Sequence, residues 1–292
     1  MTRDLRRITA RGTSILALVL ILARYGLAQK SSGPPSGTII ADGGGFTSPV
    51  RQRFIEEAGG ASKARIVAIP TAASSLKFGP EGTILDLNAP RTDPAWKAYE
   101  NYLKGLLGVE HLTILHTRDR QEANSEEFVK PFVSATGIFL GTGNAGRLAD
   151  AYLGTLVQKE LAAALGRGAV VSGTSAGSII LGSFTIRGWT EKPLLISPGH
   201  DVGFGFLSNV AIDPHLTEAK RDYELMNVVD ARPELLGIGI DETAAIIVHG
   251  NDLRVLGTGR VAIYDNRKHK DLWYYWLDPD SHFDLASWRV AK

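Results

Sequence analysis

An α/β fold around a mostly parallel sheet is predicted by the way short apolar runs alternate with longer amphipathic stretches. Apolar runs bounded by glycine or proline are typical of strands buried on both faces. Apolar residues at helical spacing recur between these runs, and such an alternation places helices on both faces of the sheet. The strand candidates are 37–42, 64–70, 111–116, 137–140 and 169–172, and the helix candidates are 49–58, 93–107 and 147–165.

The end of the chain carries strand signals with little helical pattern between them. Residues 236–240 and 244–248 are predicted as two further strands, and a closing run of antiparallel strands is predicted at 253–256, 260–264 and 273–276. The chain has 292 residues and is 44% hydrophobic, which suits one large core. We therefore expect a single α/β domain over 38–292.

The N-terminus has the pattern of a signal peptide over residues 1–28. An arginine-rich segment over 3–11 precedes an unbroken apolar run over 15–23, and Gly26 and Ala28 provide the small residues of a cleavage site. The apolar run is too short to span a bilayer as a helix. We expect export, with a secreted or periplasmic mature protein that begins with a flexible lead-in over 29–37.

Composition narrows the function classes. The formal net charge is +1, and no basic patch interleaved with aromatic residues is present, so we expect no nucleic-acid partner and no membrane association beyond export. The chain contains no cysteine, which excludes disulfides, thiolate nucleophiles and cysteine-ligated metals. No paired-histidine metal motif occurs, and we expect neither a metal nor an organic cofactor.

One motif at the end of a predicted strand carries a nucleophile. Gly173-Thr-Ser-Ala-Gly177 fits the G-x-S-x-G pattern, in which a serine sits on a sharp strand-to-helix turn with its hydroxyl exposed at a helix N-terminus. Ser175 is therefore the candidate nucleophile. The amide of Ala176 is a candidate oxyanion donor, and the Gly143-Asn144 loop is expected to supply the second.

A serine nucleophile needs a base, and His215 is the favoured candidate. It follows the apolar run 210–212, so it closes another strand and is expected at the functional edge of the sheet. His200 is the main rival. Spacing alone does not choose the carboxylate that orients the base, and the candidates are Glu191, Asp201, Asp213, Asp241 and Glu242.

Several segments in a fixed order carry a family resemblance over most of the mature chain, from about Thr38 to Asp265. They are Ala68–Ser74, Ala135–Asn144 with Arg147-Leu148 after it, Gly168–Gly177, Asp213–His215 and Leu236–Glu242. The chain resembles peptidase family S51, and among its members the cyanophycinases. The resemblance implies a flavodoxin-like three-layer sandwich of the class I glutamine-amidotransferase type.

The resemblance also implies roles for individual residues and a peptide substrate with aspartyl residues, and it allows for a homodimer. The family nucleophile matches Ser175, the base His215 and the acid Glu191. Its oxyanion amides match Gly143 or Asn144, together with Ala176. The substrate-binding positions that the resemblance suggests are Asn144, Thr174, Asp213 and Arg221.

The chain departs from the family pattern next to these positions. It has Thr142-Gly-Asn-Ala145 where cyanophycinases usually have Gly-Gly-Asp-Gln, and Pro214 where they have Gln. A basic residue commonly used for substrate matches Ala219, with Lys220 and Arg221 adjacent. An amide and a fixed guanidinium suit a carboxylate-rich, arginine-capped substrate, so their loss bears on specificity more than on the peptidase chemistry.

Three other interpretations are compatible with parts of the sequence. An α/β-hydrolase esterase shares G-x-S-x-G, but the short stretch between Ser175 and His215 leaves little room for its later strands. A catalytically silent binding module on the same fold would account for the altered turn at Asn144 and Ala145. A phosphate cradle at Gly43–Gly45 lacks the G-x-G-x-x-G spacing, so a turn at the rim of the site is favoured.

Overall fold

The computed structural model of the protein describes residues 32–291. The predicted signal peptide over 1–28 lies outside the described residues, as do the first residues of the lead-in. The rest of the lead-in contacts the protein body. Ser32 forms an isolated antiparallel bridge to Ser208, with their hydroxyls 2.7 Å apart, and the hydroxyl of Ser36 donates to the carbonyl of Gly166.

Sixteen strands and seven α-helices are found in the described residues. The strands are β1 Thr38–Asp42, β2 Arg65–Ile69, β3 Ser75–Phe78, β4 Thr83–Asp86, β5 His111–Ile114, β6 Gly137–Leu140, β7 Val170–Thr174, β8 Gly182–Phe184, β9 Leu207–Pro214, β10 Leu236–Ile240, β11 Ala244–His249, β12 Asp252–Gly257, β13 Val261–Tyr264, β14 Tyr275–Leu277, β15 His282–Asp284 and β16 Arg289–Val290. The helices are α1 Ser48–Glu57, α2 Pro94–Leu107, α3 Glu126–Val129, α4 Ala145–Tyr152, α5 Leu156–Gly166, α6 Ala176–Ile179 and α7 Glu224–Ala231; short 3₁₀ turns occupy Glu122–Asn124 and Lys130–Ser134.

A nine-stranded sheet forms the centre of the fold, in the order β16-β15-β12-β11-β1-β7-β6-β2-β5. Five neighbouring strands of this sheet are parallel: β1, β7, β6, β2 and β5. On the other side of β1, the pairings of β11, β12, β15 and β16 are antiparallel. This confirms the predicted α/β class with antiparallel strands at the end of the chain.

Both faces of this sheet are buried at its middle strands, β1, β7 and β6, as the near-continuous apolar strands predicted. Alternate residues of β1 point to opposite sides: Ile39 and Ala41 belong to one apolar cluster, and Ile40 belongs to the other. The cluster of Ile39 and Ala41 includes residues of α4, of α5 and of a further sheet described below. The cluster of Ile40 includes residues of α1 and α2. The layers therefore form a sandwich around the central sheet.

A second sheet of five strands was not expected from the sequence. Its order is β14-β13-β10-β9-β8, with β8, β9 and β10 parallel. The strand predicted at 236–240 belongs to this sheet, and the next one, at 244–248, belongs to the central sheet. The chain thus changes sheets at residues 241–243, and this crossover contributes to the site.

Other differences from the predicted elements have local causes. The helix expected over 147–165 is two helices, α4 and α5, because Gly154 adopts a left-handed conformation with φ of 70° between them. The hairpin of β3 and β4 was not expected. The last aromatic strand is Tyr275–Leu277 rather than 273–276, and Trp273 lies outside it with 45% of its surface exposed.

In the described residues 32–291, no helix combines the length and the apolar character needed to cross a bilayer.

Candidate active site

The sharp turn after β7 brings Ser175 to the carboxyl edge of the central sheet. Ser175 has φ of 54° and ψ of −114°, a conformation that is uncommon for a residue with a side chain. The residues two positions before and after it are glycine, and both positions lack room for a side chain. A Cβ atom at Gly173 would lie 2.2 Å from the carbonyl oxygen of Gly177, and one at Gly177 would lie 2.2 Å from that of Leu140. The two outer glycines of the motif therefore permit the turn.

His215 reaches Ser175 from the second sheet. It follows β9 with φ of 57°, and its Nε2 atom lies 2.9 Å from Oγ of Ser175. Its backbone N–H donates to the carbonyl of Gly43 at 2.9 Å. The ring packs against Gly44, where a Cβ atom would lie only 2.1 Å from Cε1 of the histidine. The expected contact between Ser175 and His215 is therefore present in the structure.

The carboxylate on the other side of the imidazole belongs to Glu242. Its Oε1 atom lies 2.5 Å from Nδ1 of His215. With Nδ1–H donating to this carboxylate, Nε2 is left to accept the proton of the serine hydroxyl. Glu242 lies at the crossover after β10, and β10 runs parallel to β9 with Ile240 paired to Pro214. This register carries the base and the carboxylate to the same edge.

Glu191, the family-based assignment for the acid, is not at this position. It is exposed on the connection between β8 and β9, and within residues 32–291 it forms no hydrogen bond to His215. The structure pairs His215 with Glu242 instead, so this assignment is corrected. The pairing of β9 and β10 is the signal that could have identified Glu242, since both strands were predicted.

Two backbone amides that lack a partner in the described residues follow the paired strands β6 and β7 and are candidate oxyanion donors. The N–H groups of Gly143 and Ala176 form no hydrogen bond within residues 32–291. The amide of Ala176 starts α6, directly after Ser175. Gly143 has φ of 140°, and a Cβ atom there would lie 2.2 Å from the carbonyl oxygen of Ala72. The amide of Asn144, the alternative donor, is already bonded to that oxygen at 2.9 Å.

Two of the expected substrate-binding side chains are occupied by local hydrogen bonds. The side-chain oxygen of Asn144 caps α4 by accepting from the N–H of Gly146 at 2.8 Å. The hydroxyl of Thr174 donates to the carboxylate of Asp42 at 2.6 Å. The oxygen of Asn144 and the hydroxyl of Thr174 therefore hold local structure together.

The other two expected positions belong to a charge cluster beside the base. Asp213 is fully buried, and its carboxylate accepts from Arg187 at 3.0 Å and lies 3.7 Å from Arg221. Arg187 also pairs with Glu224. Burial raises the pKa of Asp213 above its usual value, and the two guanidinium groups oppose that rise. Arg187 was not predicted as a site residue, because its partner lies 26 positions away and no local sequence pattern indicates the pairing.

No group of three or more histidine, aspartate or glutamate side chains in residues 32–291 is arranged to hold a metal ion. The side chains of Ser175, His215 and Glu242 are hydrogen-bonded in series. A serine hydroxyl, an imidazole, a carboxylate and two amides without a partner in the described residues thus lie at the edge of an α/β sheet, an arrangement suited to nucleophilic catalysis.

The fold and site define an α/β protein with a Ser-His-Glu arrangement, and comparison with known proteins gives its family. The family model "Peptidase family S51" matches residues 39–256. The chain belongs to peptidase family S51, as the resemblance predicted.

Named relatives agree with this assignment. The chain is 32% identical to a cyanophycinase from Synechococcus elongatus over 188 residues, which are 63% of this chain and 58% of that protein. It is 32% identical to a cyanophycinase from Nostoc over 163 residues, which are 54% of this chain and 55% of that protein. The match thus spans little more than half the length of these relatives.

A solved structure shares the fold. The crystal structure of a peptidase from an acI-B1 Actinobacterium superimposes with a TM-score of 0.62 and 21% identity, covering 89% of this chain and 99% of that one. At this level of identity the likeness concerns the fold alone.

Proposed function

We propose that this chain is a serine-type peptidase that hydrolyses peptide or isopeptide bonds through an acyl-enzyme. The observation that carries the proposal is the hydrogen-bonded series of Ser175, His215 and Glu242, with 2.9 Å between Oγ and Nε2 and 2.5 Å between Nδ1 and Oε1. Membership of peptidase family S51 supports the same reaction class.

The reaction follows from this geometry. His215 accepts the proton of Ser175 as Oγ bonds to the carbonyl carbon of the substrate, and Glu242 stabilises the imidazolium that forms. The amides of Gly143 and Ala176 donate to the oxyanion of the tetrahedral intermediate. His215 then protonates the leaving amine as the carbon–nitrogen bond breaks. In the second half, His215 accepts a proton from water as the water oxygen bonds to the carbonyl carbon of the acyl-enzyme. The bond to Oγ of Ser175 then breaks, the carboxylic acid product leaves, and His215 returns the proton to Oγ.

The substrate class we propose is an aspartyl-containing peptide, including β-aspartyl isopeptides. The cyanophycinase relatives support this class. The side chains of Asn144 and Asp213 are engaged within the protein. Short aspartyl peptides are therefore proposed ahead of cyanophycin itself, which would need further free groups to hold its arginines.

We also propose that the protein acts outside the cytoplasm, on the strength of the predicted signal peptide over 1–28. Export of a reporter fused after residue 37, and loss of that export when residues 1–28 are removed, would support this. A reporter retained in the cytoplasm would refute it.

The test of the activity is hydrolysis of a substrate panel by the wild-type protein and by Ser175→Ala. The panel holds cyanophycin, β-Asp-Arg and β-Asp-Lys oligomers, Asp-X dipeptides and p-nitrophenyl esters. Peptide turnover that the substitution abolishes supports the proposal. Turnover confined to esters favours a serine esterase, and no turnover together with no labelling by a serine-directed fluorophosphonate favours a silent binding module.

A further inference from the structure

Asp42 is a buried carboxylate that the proposed reaction does not use. It ends β1, between β7 and β11 in the central sheet, and its side chain is fully inaccessible to solvent. One carboxylate oxygen, Oδ1, accepts hydrogen bonds from the N–H groups of Gly44 at 2.8 Å and Phe46 at 3.0 Å, and from the hydroxyl of Thr174 at 2.6 Å. The other, Oδ2, has no hydrogen-bond partner in residues 32–291.

The backbone of Asp42 is bonded to the nucleophile turn. Its carbonyl accepts from the N–H of Ser175 at 3.3 Å and from the hydroxyl of Ser178 at 2.7 Å. Its N–H lies 2.9 Å from the same hydroxyl. Together with Thr174, these contacts join Asp42 to both sides of the turn that carries the proposed nucleophile.

The side chain of Asp42 also accepts hydrogen bonds from the segment that follows it in the chain, and this segment contacts His215. This segment, residues 43–46, is called the glycine loop below. The carbonyl of Gly43 accepts from the N–H of His215, the ring of His215 rests on Gly44, and the N–H of Gly45 donates to the carbonyl of Glu242 at 3.0 Å. The glycine loop therefore contacts both partners of the proposed nucleophile through its backbone.

The glycine loop needs an outside constraint to keep this shape. Phe46 has φ of 40°, which is unfavourable for a bulky residue. Gly44 has φ of 124°, which glycine alone adopts readily. A strained segment persists only when its surroundings fix it, and the two amide bonds to Oδ1 of Asp42 supply that restraint.

We propose that Asp42 is a positioning residue, whose carboxylate joins the nucleophile turn to the glycine loop and so sets the His215 ring against Oγ of Ser175. This inference rests on the proposed function, since it assigns Asp42 a task in that site. The negative charge of Asp42 also attracts the imidazolium that His215 becomes during proton transfer, because the two groups are close enough to interact electrostatically.

Stability and kcat together distinguish a positioning role of Asp42 from a merely structural one, because burial of its charged carboxylate opposes folding. Desolvation raises the pKa of Asp42, so its ionised form is less favourable in the folded protein than in water. Asp42→Asn retains an acceptor oxygen for the two amides but removes the charge. We therefore expect Asp42→Asn to be at least as stable as the wild-type protein while its kcat falls.

The experiment compares Asp42→Asn and Thr174→Val with two controls. Thr174→Ser retains the hydroxyl that Thr174→Val removes. Asp265→Asn is a matched control, because Asp265 is also buried and accepts from a backbone N–H two residues ahead, at Arg267, but follows β13 at the opposite edge of the second sheet. We measure kcat, KM, Tm and the rate of labelling by a fluorophosphonate.

The expected result is a fall of roughly 10- to 100-fold in kcat and in labelling rate for Asp42→Asn and Thr174→Val, with KM within about twofold. Tm should not be lowered in Asp42→Asn. Asp265→Asn should match the wild-type kcat, and Thr174→Ser should restore most of the activity that Thr174→Val loses. Wild-type kcat in both Asp42→Asn and Thr174→Val, or a loss of kcat in Asp42→Asn that follows a loss of Tm, would overturn the proposal.

A separate measurement keeps this test independent of the proposed reaction. The Nδ1 proton of His215, held against Glu242, should give a far-downfield proton resonance in the wild-type protein and in Asp265→Asn. Its shift or loss in Asp42→Asn and Thr174→Val supports the positioning role even if no substrate is turned over and no probe reacts. An unchanged resonance in both variants overturns it.

Discussion

The Nε2 atom of His215 lies 2.9 Å from Oγ of Ser175, although the two residues follow strands of different sheets. Ser175 ends β7 of the central sheet, whereas His215 ends β9 of the second sheet. Glu242 lies where the chain crosses from the second sheet to the central one. The site is thus located where the two sheets meet, and the glycine loop lies between them.

The first prediction concerns the space under the imidazole. Gly44→Ala should abolish peptide turnover, because its Cβ would lie 2.1 Å from Cε1 of His215 and displace the ring from Ser175. Gly105→Ala is the control, since a Cβ at this position in α2 meets no atom within 4 Å. The control should retain full activity and gain up to about 1 kcal/mol of stability. Equal kcat values for the two variants would contradict the geometry.

The second prediction separates the two candidate acids. Glu242→Gln should lower kcat by about 10³- to 10⁴-fold, because the amide favours the wrong tautomer of His215. Glu191→Gln should leave kcat within about twofold of wild type, since Glu191 is exposed and unbonded to His215. The reverse pattern in steady-state kinetics would restore Glu191 as the acid.

The third prediction concerns the buried ion pair of Arg187 and Asp213. Arg187→Ala leaves Asp213 buried with only Arg221 at 3.7 Å, so the free energy of unfolding should fall by about 3 kcal/mol. Arg187→Ala combined with Asp213→Ala should recover part of this loss, because the fully buried carboxylate is then removed together with its partner. Chemical denaturation measures both. Additive losses in the double variant would show that the pair is not coupled.

The fourth prediction concerns pH. Desolvation, with Arg118 as the next contribution, lowers the pKa of His116 to about 4. The folded protein therefore binds this proton less tightly than the unfolded chain, whose His pKa is about 6.5. The contribution of His116 to stability is present above pH 6.5 and is lost as the pH falls towards 4. His116→Gln should flatten this part of the Tm profile, and an unchanged profile would argue against the shift.

Local signals in the sequence were sufficient for much of the fold and for the turn that carries the proposed nucleophile. Gly173 and Gly177 mark the turn at Ser175 because their steric role depends on near neighbours in the chain. The apolar strands predicted the central sheet for the same reason. The break of the long helix at Gly154 was missed, since a glycine between two apolar helical stretches does not by itself say which conformation it adopts.

Long-range relationships were harder to predict. The choice of Glu242 over Glu191 depends on β10 lying beside β9, and spacing along the chain does not encode that neighbour. Arg187 reaches Asp213 from a connection whose path only the folded protein defines. The second sheet was missed because its strands have the same apolar pattern as those of the central sheet.

The most direct test of the account is reaction of the protein with a fluorophosphonate, followed by peptide mapping, in the wild-type protein and in Ser175→Ala. We predict stoichiometric labelling on Ser175 alone, loss of labelling in Ser175→Ala, and parallel loss of aspartyl-peptide hydrolysis. Aspartyl-peptide hydrolysis that persists in Ser175→Ala, or a wild-type protein that neither reacts nor turns over any peptide, would contradict the proposed serine peptidase.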